Sequence, residues 1–488
     1  MIRRILFVNP PNIVTPSAIK RLNEPLGLLY VGTSAVEEGY EVEIYDMACE
    51  GYNIERPLDG MIIFGTGEED LGDKIREFEP DLVAITCPFF YLEDIVIQLT
   101  DLVKRLSPTL PVVVGGIHPS TAVGYKYLME NSKIDYILLG ECEWKFLNLL
   151  ECLNNNGETD RLSGLISRKN GEINVSSGLS RVSQLDNLNV DRGLVDMEKY
   201  FKAGTPMAPF ATSGRTISTV WTRGCPWKCS FCASVKFWGR HIRQRSFDHI
   251  IAEVEDSIDR FGIEEIQITD DNFSVDRTFV TKLLKKLVPY KLKFMPANGL
   301  SVHSLNKEII DLLADAGFYQ ISLAVESGSP RVLRACMNKE VPLERVPDLV
   351  RYAQSRGIYV HGMFILGMPG EMDEDRKMTF DFPYQAGFDS ISLFQAVALP
   401  GSDLYKFCAM NGFLSSNRLS NFQVSNIEIP PSSELYFDRD KLAEDIVANL
   451  TKFNEWVKNK DPDRYFKRFE PYLKRHPEHR EKVHGRVT

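Results

Sequence analysis

Short apolar runs alternate with longer amphipathic stretches from residue 1 to about 150. Ile5-Leu6-Phe7-Val8 is β-branched and aromatic and stops at Asn9-Pro10-Pro11. Glu41-Val42-Glu43-Ile44-Tyr45 alternates with period two, and Leu82-Val83-Ala84-Ile85-Thr86 is almost wholly apolar. Pro111 to Gly116 and Asp135 to Gly140 complete five predicted strands, with helical periodicity between them around 26–38, 92–106 and 142–153. Apolar strands separated by helices predict a parallel sheet covered on both faces, a doubly wound α/β domain. A second alternation begins near 215, with strands predicted at 217–222, 265–270, 292–297, 319–325, 358–366 and 390–396. Ser246 caps a helix over 247–260, Ser304 one over 305–316, and Asp276 the helix after the second strand. Six β/α units predict a partial TIM-type (β/α)6 barrel, open on one side, whose functional residues sit at the strand C-termini.

Between the two alternations, 154–214 is polar, with a hairpin expected around Asn170-Gly171. It reads as a linker with little core of its own. The expected division is therefore a flavodoxin-like domain over 1–153, a linker over 154–214, a barrel over 215–401 and a helical region over 402–488, the last a candidate lid. That last region is polar and, from Lys452 onward, carries 11 basic and 6 acidic residues together with His476, His479 and His484.

Composition narrows the function classes. A chain of 488 residues with net charge −10 and 43% hydrophobic residues is long enough for two to four domains with proper cores. Its acidic balance argues against a general nucleic-acid binder. No apolar run reaches the roughly 18 residues of a membrane span, and the five-residue run at the start is too short for a signal-peptide core. A cytoplasmic protein is expected. Nine scattered cysteines do not make a disulfide framework, yet three of them, Cys225, Cys229 and Cys232, fall within eight positions.

Those three follow the first barrel strand directly, in Thr222-Arg223-Gly224-Cys225-Pro226-Trp227-Lys228-Cys229-Ser230-Phe231-Cys232. Thiolates are natural ligands of iron–sulfur clusters and zinc, and one loop with these spacings can wrap three sulfurs around one centre. Three ligands leave a four-iron cluster with one open iron, which suits a catalytic centre. A structural zinc needs a fourth ligand, for which His241 and His249 are the neighbouring histidines; buried free thiols are the remaining alternative.

Cys-x3-Cys-x2-Cys after the first strand of a partial barrel resembles the radical SAM superfamily. Asp270-Asp271-Asn272-Phe273 resembles the family's acidic contact to the amino group of S-adenosylmethionine. Val325-Glu326-Ser327-Gly328-Ser329 resembles its ribose and carboxylate contact, and Gly362 to Glu371 its adenine-side strand. Leu399 to Tyr405 matches the usual exit from the sixth strand. The resemblance implies a [4Fe-4S] cluster on Cys225, Cys229 and Cys232, and S-adenosylmethionine on Phe231, Asp270, Asp271, Asn272, Glu326, Ser327, Ile365 and Gly367. Asp276 as the helix cap leaves Asp270 and Asp271 free for the ligand, and the Gly-Met-Pro-Gly run lets backbone approach it closely.

The strand ends of the first domain resemble the cobalamin-binding domain fused in front of many such enzymes. The resemblance implies cobalamin at Asn9, Pro10, Leu26, Gly27, Thr86, Gly115, Gly116, Ile117, His118, Gly140 and Glu141. The loop at 9–17 has no histidine, so a lower cobalt ligand from the protein is not expected there, and His118 reads as a backbone anchor. No phosphate-binding glycine motif follows the first strand.

The chemistry implied is reductive cleavage of S-adenosylmethionine to a 5′-deoxyadenosyl radical. Hydrogen abstraction follows, and then methylation of an unactivated carbon of a small biosynthetic intermediate. Cyclisation, rearrangement or oxidation without methyl transfer is the alternative, and a zinc-stabilised binding protein a remote one. The partners implied are a small-molecule substrate and an electron donor such as flavodoxin or ferredoxin. The basic run Lys236 to Arg245 either holds an anionic group of substrate or cofactor or is a solvated loop around a packed Trp238. Cys336 and Cys408 read as ordinary buried cysteines rather than hydrogen donors.

Overall fold

Successive residues of each N-terminal strand go to opposite faces, and both faces are covered. Leu6, Val8, Val83, Ile85, Val112 and Val114 share one apolar cluster, and their chain neighbours Ile5, Phe7, Leu82, Ala84 and Val113 share another. Each such side chain contributes about 1.5–3 kcal/mol when fully buried, so a one-residue slip in register would exchange two complete faces. The computed structural model of the chain describes residues 1–488 except 17, 170, 177, 180, 207–209, 416–424, 481–482 and 484–488. It divides into two compact units, Met1–Ala203 and Gly204–Thr488.

In the main sheet of the first unit the strands are β1 (Arg4–Asn9), β2 (Glu41–Asp46), β3 (Leu82–Thr86), β4 (Val112–Gly115), β5 (Tyr136–Leu138), β6 (Leu165–Lys169) and β7 (Glu172–Val175). Their order across the sheet is β7-β6-β5-β4-β3-β1-β2. The first five pair in parallel, in the doubly wound arrangement that the alternation predicts. Helices α1 (Leu26–Glu37) and α5 (Glu143–Asn154) supply one apolar cluster, and α2 (Glu68–Phe78) and α3 (Glu93–Leu106) the other. Helix α4 (Ala122–Asn131) follows β4.

The stretch expected to be a coreless linker is different. Its hairpin, β6 and β7, adds to β5 antiparallel and extends the sheet, burying Leu165 and Ile166. Covering an open sheet edge is the physical gain. Val182, Leu185 and Leu188 then pack on Tyr30 of α1. Asn170 of the expected Asn-Gly turn lies outside the described residues.

The second unit carries six parallel strands, β8 (Thr216–Thr219), β9 (Glu265–Ile268), β10 (Lys293–Pro296), β11 (Gln320–Glu326), β12 (Tyr359–Leu366) and β13 (Ser390–Gln395). Parallel bridges Phe294–Phe318 and Leu300–Leu323 join the two three-stranded halves. Among the described residues nothing pairs β8 with β13, so the barrel is partial, as expected. Between and after the strands come α6 (Ser234–Trp238), α7 (Phe247–Phe261), α8 (Arg277–Leu287), α9 (Lys307–Ala316), α10 (Val346–Ser355), α11 (Asp373–Ala386), α12 (Asp403–Met410) and α13 (Arg439–Lys460). The caps at Ser246 and Asp276 accept from His249 N at 3.2 Å and Phe279 N at 3.0 Å. The third differs from expectation. Helix α9 starts at Lys307 on Asn306, while the Ser304 hydroxyl is bonded to Ser301 O and Ser274.

The last two helices pack where the barrel strands begin, whereas Phe437 and Leu442, earlier in the expected lid region, lie against Gly367 at the end of β12. Arg464 of α14 (Pro462–Lys467) forks onto Asp389 at 2.6 and 2.9 Å and donates to Ile358 O at 2.8 Å. Arg475, ending α15 (Glu470–Arg475), donates to Ala211 O and Thr212 O. Ile358, Asp389 and Thr212 all precede strands, so these helices close the floor of the barrel. Unsatisfied carbonyls and a carboxylate there draw the guanidinium forks. His484 lies outside the described residues. Among the described residues no helix is long and apolar enough to cross a membrane.

Candidate active site

The cysteine loop leaves β8 through a glycine that nothing else can replace. Gly224 has φ +104°, and a Cβ there would lie 2.3 Å from His241 O. The loop is then pinned from three sides. Ser230 N donates to Met337 O at 2.8 Å and its hydroxyl to Cys336 O at 2.7 Å. Leu404 N donates to Ser230 O at 2.8 Å, and Asn338 Nδ2 to Lys228 O at 2.9 Å. Cys225, Cys229 and Cys232 are all half-exposed and close enough for each thiol to feel another's charge. Burial pushes Cys225 and Cys229 up to about 11. Three such neighbouring thiols become thiolates when a metal centre supplies positive charge, so the donor set fits a cation-bearing cluster.

Two adjacent aspartates at the end of β9 have different surroundings. Asp270, expected to be free for a ligand, is not. Its carboxylate accepts from Trp221 N at 2.8 Å and from Thr222 N and Oγ1, both at 2.7 Å. It ties the chain just past β8 to the end of β9, and burial lifts its pKa to about 7 against those three donors. Asp271 turns toward the cysteines instead. Its Oδ2 is buried without a hydrogen-bond partner, and burial raises its pKa while Ser234 bonds to it. An ammonium group would satisfy that orphaned oxygen. Asn272 is buried and its Oδ1 accepts from Ser274 at 3.1 Å, a contact within the turn.

At the end of β11 a bulge between Ala324 and Glu326 places Glu326 at φ +68°. Its carboxylate meets Lys339 Nζ at 2.7 Å, and both lie near Cys229. Sequence reasoning missed Lys339, because the chain between the two residues carries no local spacing that pairs them. Ser327 is fully buried, with its hydroxyl shared between Thr379 Oγ1 at 2.9 Å and Ser329 N at 3.1 Å, so it serves the turn. Phe231 and Ile365 are half-buried. Gly367, at φ +82°, is approached by protein rather than left open for a ligand. A Cβ there would lie 2.8 Å from Leu442 and 3.2 Å from Phe437. Glu371, inside the same motif, accepts from Gly367 N, while its Oε1 is buried without a partner; burial pushes its pKa up to about 7.

Residues of β12 alternate between two faces. Val360, Gly362, Phe364 and Leu366 are buried, Phe364 against Phe382 of α11, whereas His361, Met363 and Ile365 are half-buried and register with Ser390, Ser392 and Phe394 of β13. His361 spans Ser390 at 2.8 Å and Ser392 at 3.0 Å. Burial, with Arg468 adding to it, pushes its pKa down to about 3, so the barrel presents a neutral imidazole.

The basic run resolves into a packed half and an exposed half. Arg245 is buried on Glu253 and His249 Nδ1, and Arg243 donates to Trp238 O at 2.9 Å. Arg223 lies 5.1 Å from the Trp238 ring centroid, so the loop is built around that tryptophan. Lys236 and Arg240 stay exposed. Cys408 is fully buried, and burial pushes its thiol up to about 11; burial also raises that of half-buried Cys336.

In the first unit the strand ends form a shelf of glycine and apolar residues. Gly27 is exposed with nothing within 4 Å of a Cβ, and Ile117 is 46% exposed. Gly116 sits at φ +119°, and a Cβ would be 2.7 Å from Cys87 O. Pro10 is buried, and Leu26 and Thr86 half-buried, as is Gly115, where a Cβ would meet Cys142 Sγ at 3.4 Å. Gly140 N donates to Ser120 Oγ at 2.8 Å. The titratable groups are committed elsewhere. His118 Nε2 meets Glu93 Oε2 at 2.7 Å, Glu141 accepts from Val182 N at 2.9 Å, and Asn9 donates to Asp46 at 2.9 Å. A bare shelf fits a large preformed cofactor held by shape, with no histidine offered to its metal.

The comparisons with known proteins agree with this geometry. Residues 219–382 match the radical SAM superfamily model, and residues 17–150 match the B12-binding domain model. Cytidylyl-2-hydroxyethylphosphonate methyltransferase of Streptomyces wedmorensis is 31% identical over 84% of this chain and 83% of its own. Anaerobic magnesium-protoporphyrin IX monomethyl ester cyclase of Cereibacter sphaeroides is 26% identical over 70% of this chain and 54% of its own. The fold is shared with the radical S-adenosylmethionine methyltransferase TsrM of Kitasatospora setae, solved with cobalamin and a [4Fe-4S] cluster. Its TM-score is 0.68 at 20% identity, covering 86% of this chain and 80% of that one. The chain belongs to the cobalamin-dependent enzymes of the radical SAM superfamily, whose cofactors are a [4Fe-4S] cluster, S-adenosylmethionine and cobalamin.

Proposed function

We propose that the protein is a C-methyltransferase that methylates an unactivated carbon of a small biosynthetic intermediate. The observation that carries this reading is three half-exposed thiols beside a buried, unpartnered carboxylate oxygen of Asp271 at the strand ends of the barrel. The methyltransferase of Streptomyces wedmorensis, similar over most of both chains, supports methyl transfer in particular. Cys225, Cys229 and Cys232 hold the cluster in this reading. Asp271 receives the amino group of S-adenosylmethionine, and Glu326 and Lys339 orient its polar end. The shelf around Gly27, Gly116 and Ile117 holds cobalamin. When bound, these groups supply the electron, the radical precursor and the methyl carrier; the protein supplies orientation and a dry site.

The neutral His361 and its two serines give the barrel interior hydrogen-bonding groups without a charge, which suits a polar substrate held beside a reactive carbon. An external low-potential electron donor is part of the reading, and nucleic acid is not, given the acidic chain. The cytoplasm suits the nine free cysteines, since thiols stay reduced there. Product analysis tests the proposal. Methyl transfer predicts both S-adenosylhomocysteine and 5′-deoxyadenosine, with a substrate-dependent mass gain of one methylene. Deoxyadenosine alone would reject it and favour ring formation, as the name of the similar cyclase suggests.

A further inference from the structure

We infer that the outer face beside the cysteine loop, formed by α6, Arg240 and α12, is the docking surface of an acidic one-electron carrier protein. The inference rests on the proposed function, which requires an external reductant. Its starting point is the exposed half of the basic run, which the site does not use. Lys236 and Arg240 project to solvent, Lys228 is exposed on the cysteine loop itself, and Lys406 is exposed on α12. They share one neighbourhood. The Lys236 side chain lies 3.6 Å from where a Gly401 Cβ would stand, just before α12. Asp403 on α12 bonds Lys406 at 2.9 Å, and its carboxyl is held low by Lys406, with Lys236 and Arg240 adding to the positive field. Lys406, Lys236 and Arg240 thus all act on Asp403, on a chain whose net charge is −10.

Beside them α12 exposes two apolar side chains, Phe407 at 40% and Met410 at 86%. An apolar centre with a basic rim is the composition of a transient docking surface, the charges steering the encounter and the apolar groups excluding water. What lies beneath selects the partner. Leu404 N of α12 bonds Ser230 O, and Ser230 follows Cys229 directly, so a carrier seated on α12 has its redox group next to the metal ligands. On contact the carrier is oxidised by one electron and the centre held by Cys225, Cys229 and Cys232 is reduced by one. No bond is made or broken, and no proton transfer is required. An anionic substrate is a poorer occupant, because this face lies outside the barrel whose interior carries His361 and Met363.

The test uses the cluster-loaded full chain and a bacterial flavodoxin. Binding of oxidised flavodoxin is followed calorimetrically at low and high salt, with Lys236→Glu/Arg240→Glu compared with Lys285→Glu/Lys286→Glu on the exposed side of α8. The first pair should weaken binding about tenfold or more and flatten its salt dependence, and the second should leave both unchanged. Bleaching of the visible band by reduced flavodoxin should slow in parallel, while bleaching by dithionite stays at the wild-type rate. Unchanged affinity and salt slope in a chain that dithionite does reduce overturns the inference alone, as does equal weakening by both pairs. A wild-type chain with no reducible band overturns the proposed function and the inference with it.

Discussion

The two sets of strand ends solve the problem of holding a cofactor in opposite ways. At the barrel mouth, reactive groups are left half-bare: three thiols, one oxygen of Asp271 and one of Glu371. At the ends of the N-terminal sheet, His118, Glu141 and Asp46 are each consumed by protein partners, and what remains is glycine and an exposed isoleucine. Asp46, for example, accepts from Asn9, Ala48, Cys49 and Tyr200, and burial still lifts its pKa to about 6. The barrel mouth offers thiols and a bare acceptor to a ligand, whereas the N-terminal shelf offers mainly glycine and apolar surface. A buried unpaired group costs about 1–3 kcal/mol, which an ammonium group at Asp271 would recover.

The comparison is most easily broken at the cysteines. Cys229→Ala should abolish cleavage of S-adenosylmethionine, a loss of about a thousandfold or more, and remove the broad visible absorption of an iron–sulfur protein. Retained 5′-deoxyadenosine formation would refute the cluster assignment. Next come the two aspartates, which differ in what they hold. Asp270→Ala should lower unfolding free energy by about 3 kcal/mol or more, since three donors lose their acceptor. Asp271→Ala should leave stability nearly unchanged and raise the Kd for S-adenosylmethionine about tenfold. Denaturant titration and equilibrium binding together decide this, and the reverse ranking would exchange their roles.

On the N-terminal shelf, Gly27→Trp should fold normally, because the position is open, yet lose bound cobalamin by absorbance and metal analysis. His118→Ala should keep it, with no change in cobalt coordination by electron paramagnetic resonance. A nitrogen ligand lost in that variant would overturn the enclosing reading. The smallest effect concerns pH. His361 is neutral when folded, at about 3, and titrates near 6.5 when unfolded, so the unfolded chain takes up the extra proton below that value. Its contribution is complete above about pH 6.5 and falls as pH drops toward 3, by up to about 1.4 kcal/mol per pH unit. His361→Gln should show a correspondingly shallower loss of stability between pH 6.5 and 5; an unchanged slope would place the titration elsewhere.

Much of this was legible along the chain, because it depends on short-range patterning. Apolar runs of period one or two marked every barrel strand, and the thiol spacing marked the loop that follows the first. What was not legible depended on partners distant in sequence. Asp270 and Asp271 are chemically identical neighbours, told apart only by Trp221 and Thr222 arriving at one of them. Arg245 and Lys236 belong to one basic run, yet Glu253 buries the first while the second stays in water. Ser304 and Asn306 are equally good caps, and a hydroxyl from Ser274 claims the serine.

The sequence by itself determined the two α/β units, the six-stranded barrel and the thiol set, since secondary-structure period and ligand spacing are local properties. Only the tertiary structure decided which carboxylate stays bare, that Glu326 meets Lys339, and that the basic tail closes the floor of the barrel rather than its mouth. Hydrogen-bond satisfaction is settled between segments far apart in the chain, and no local pattern records it.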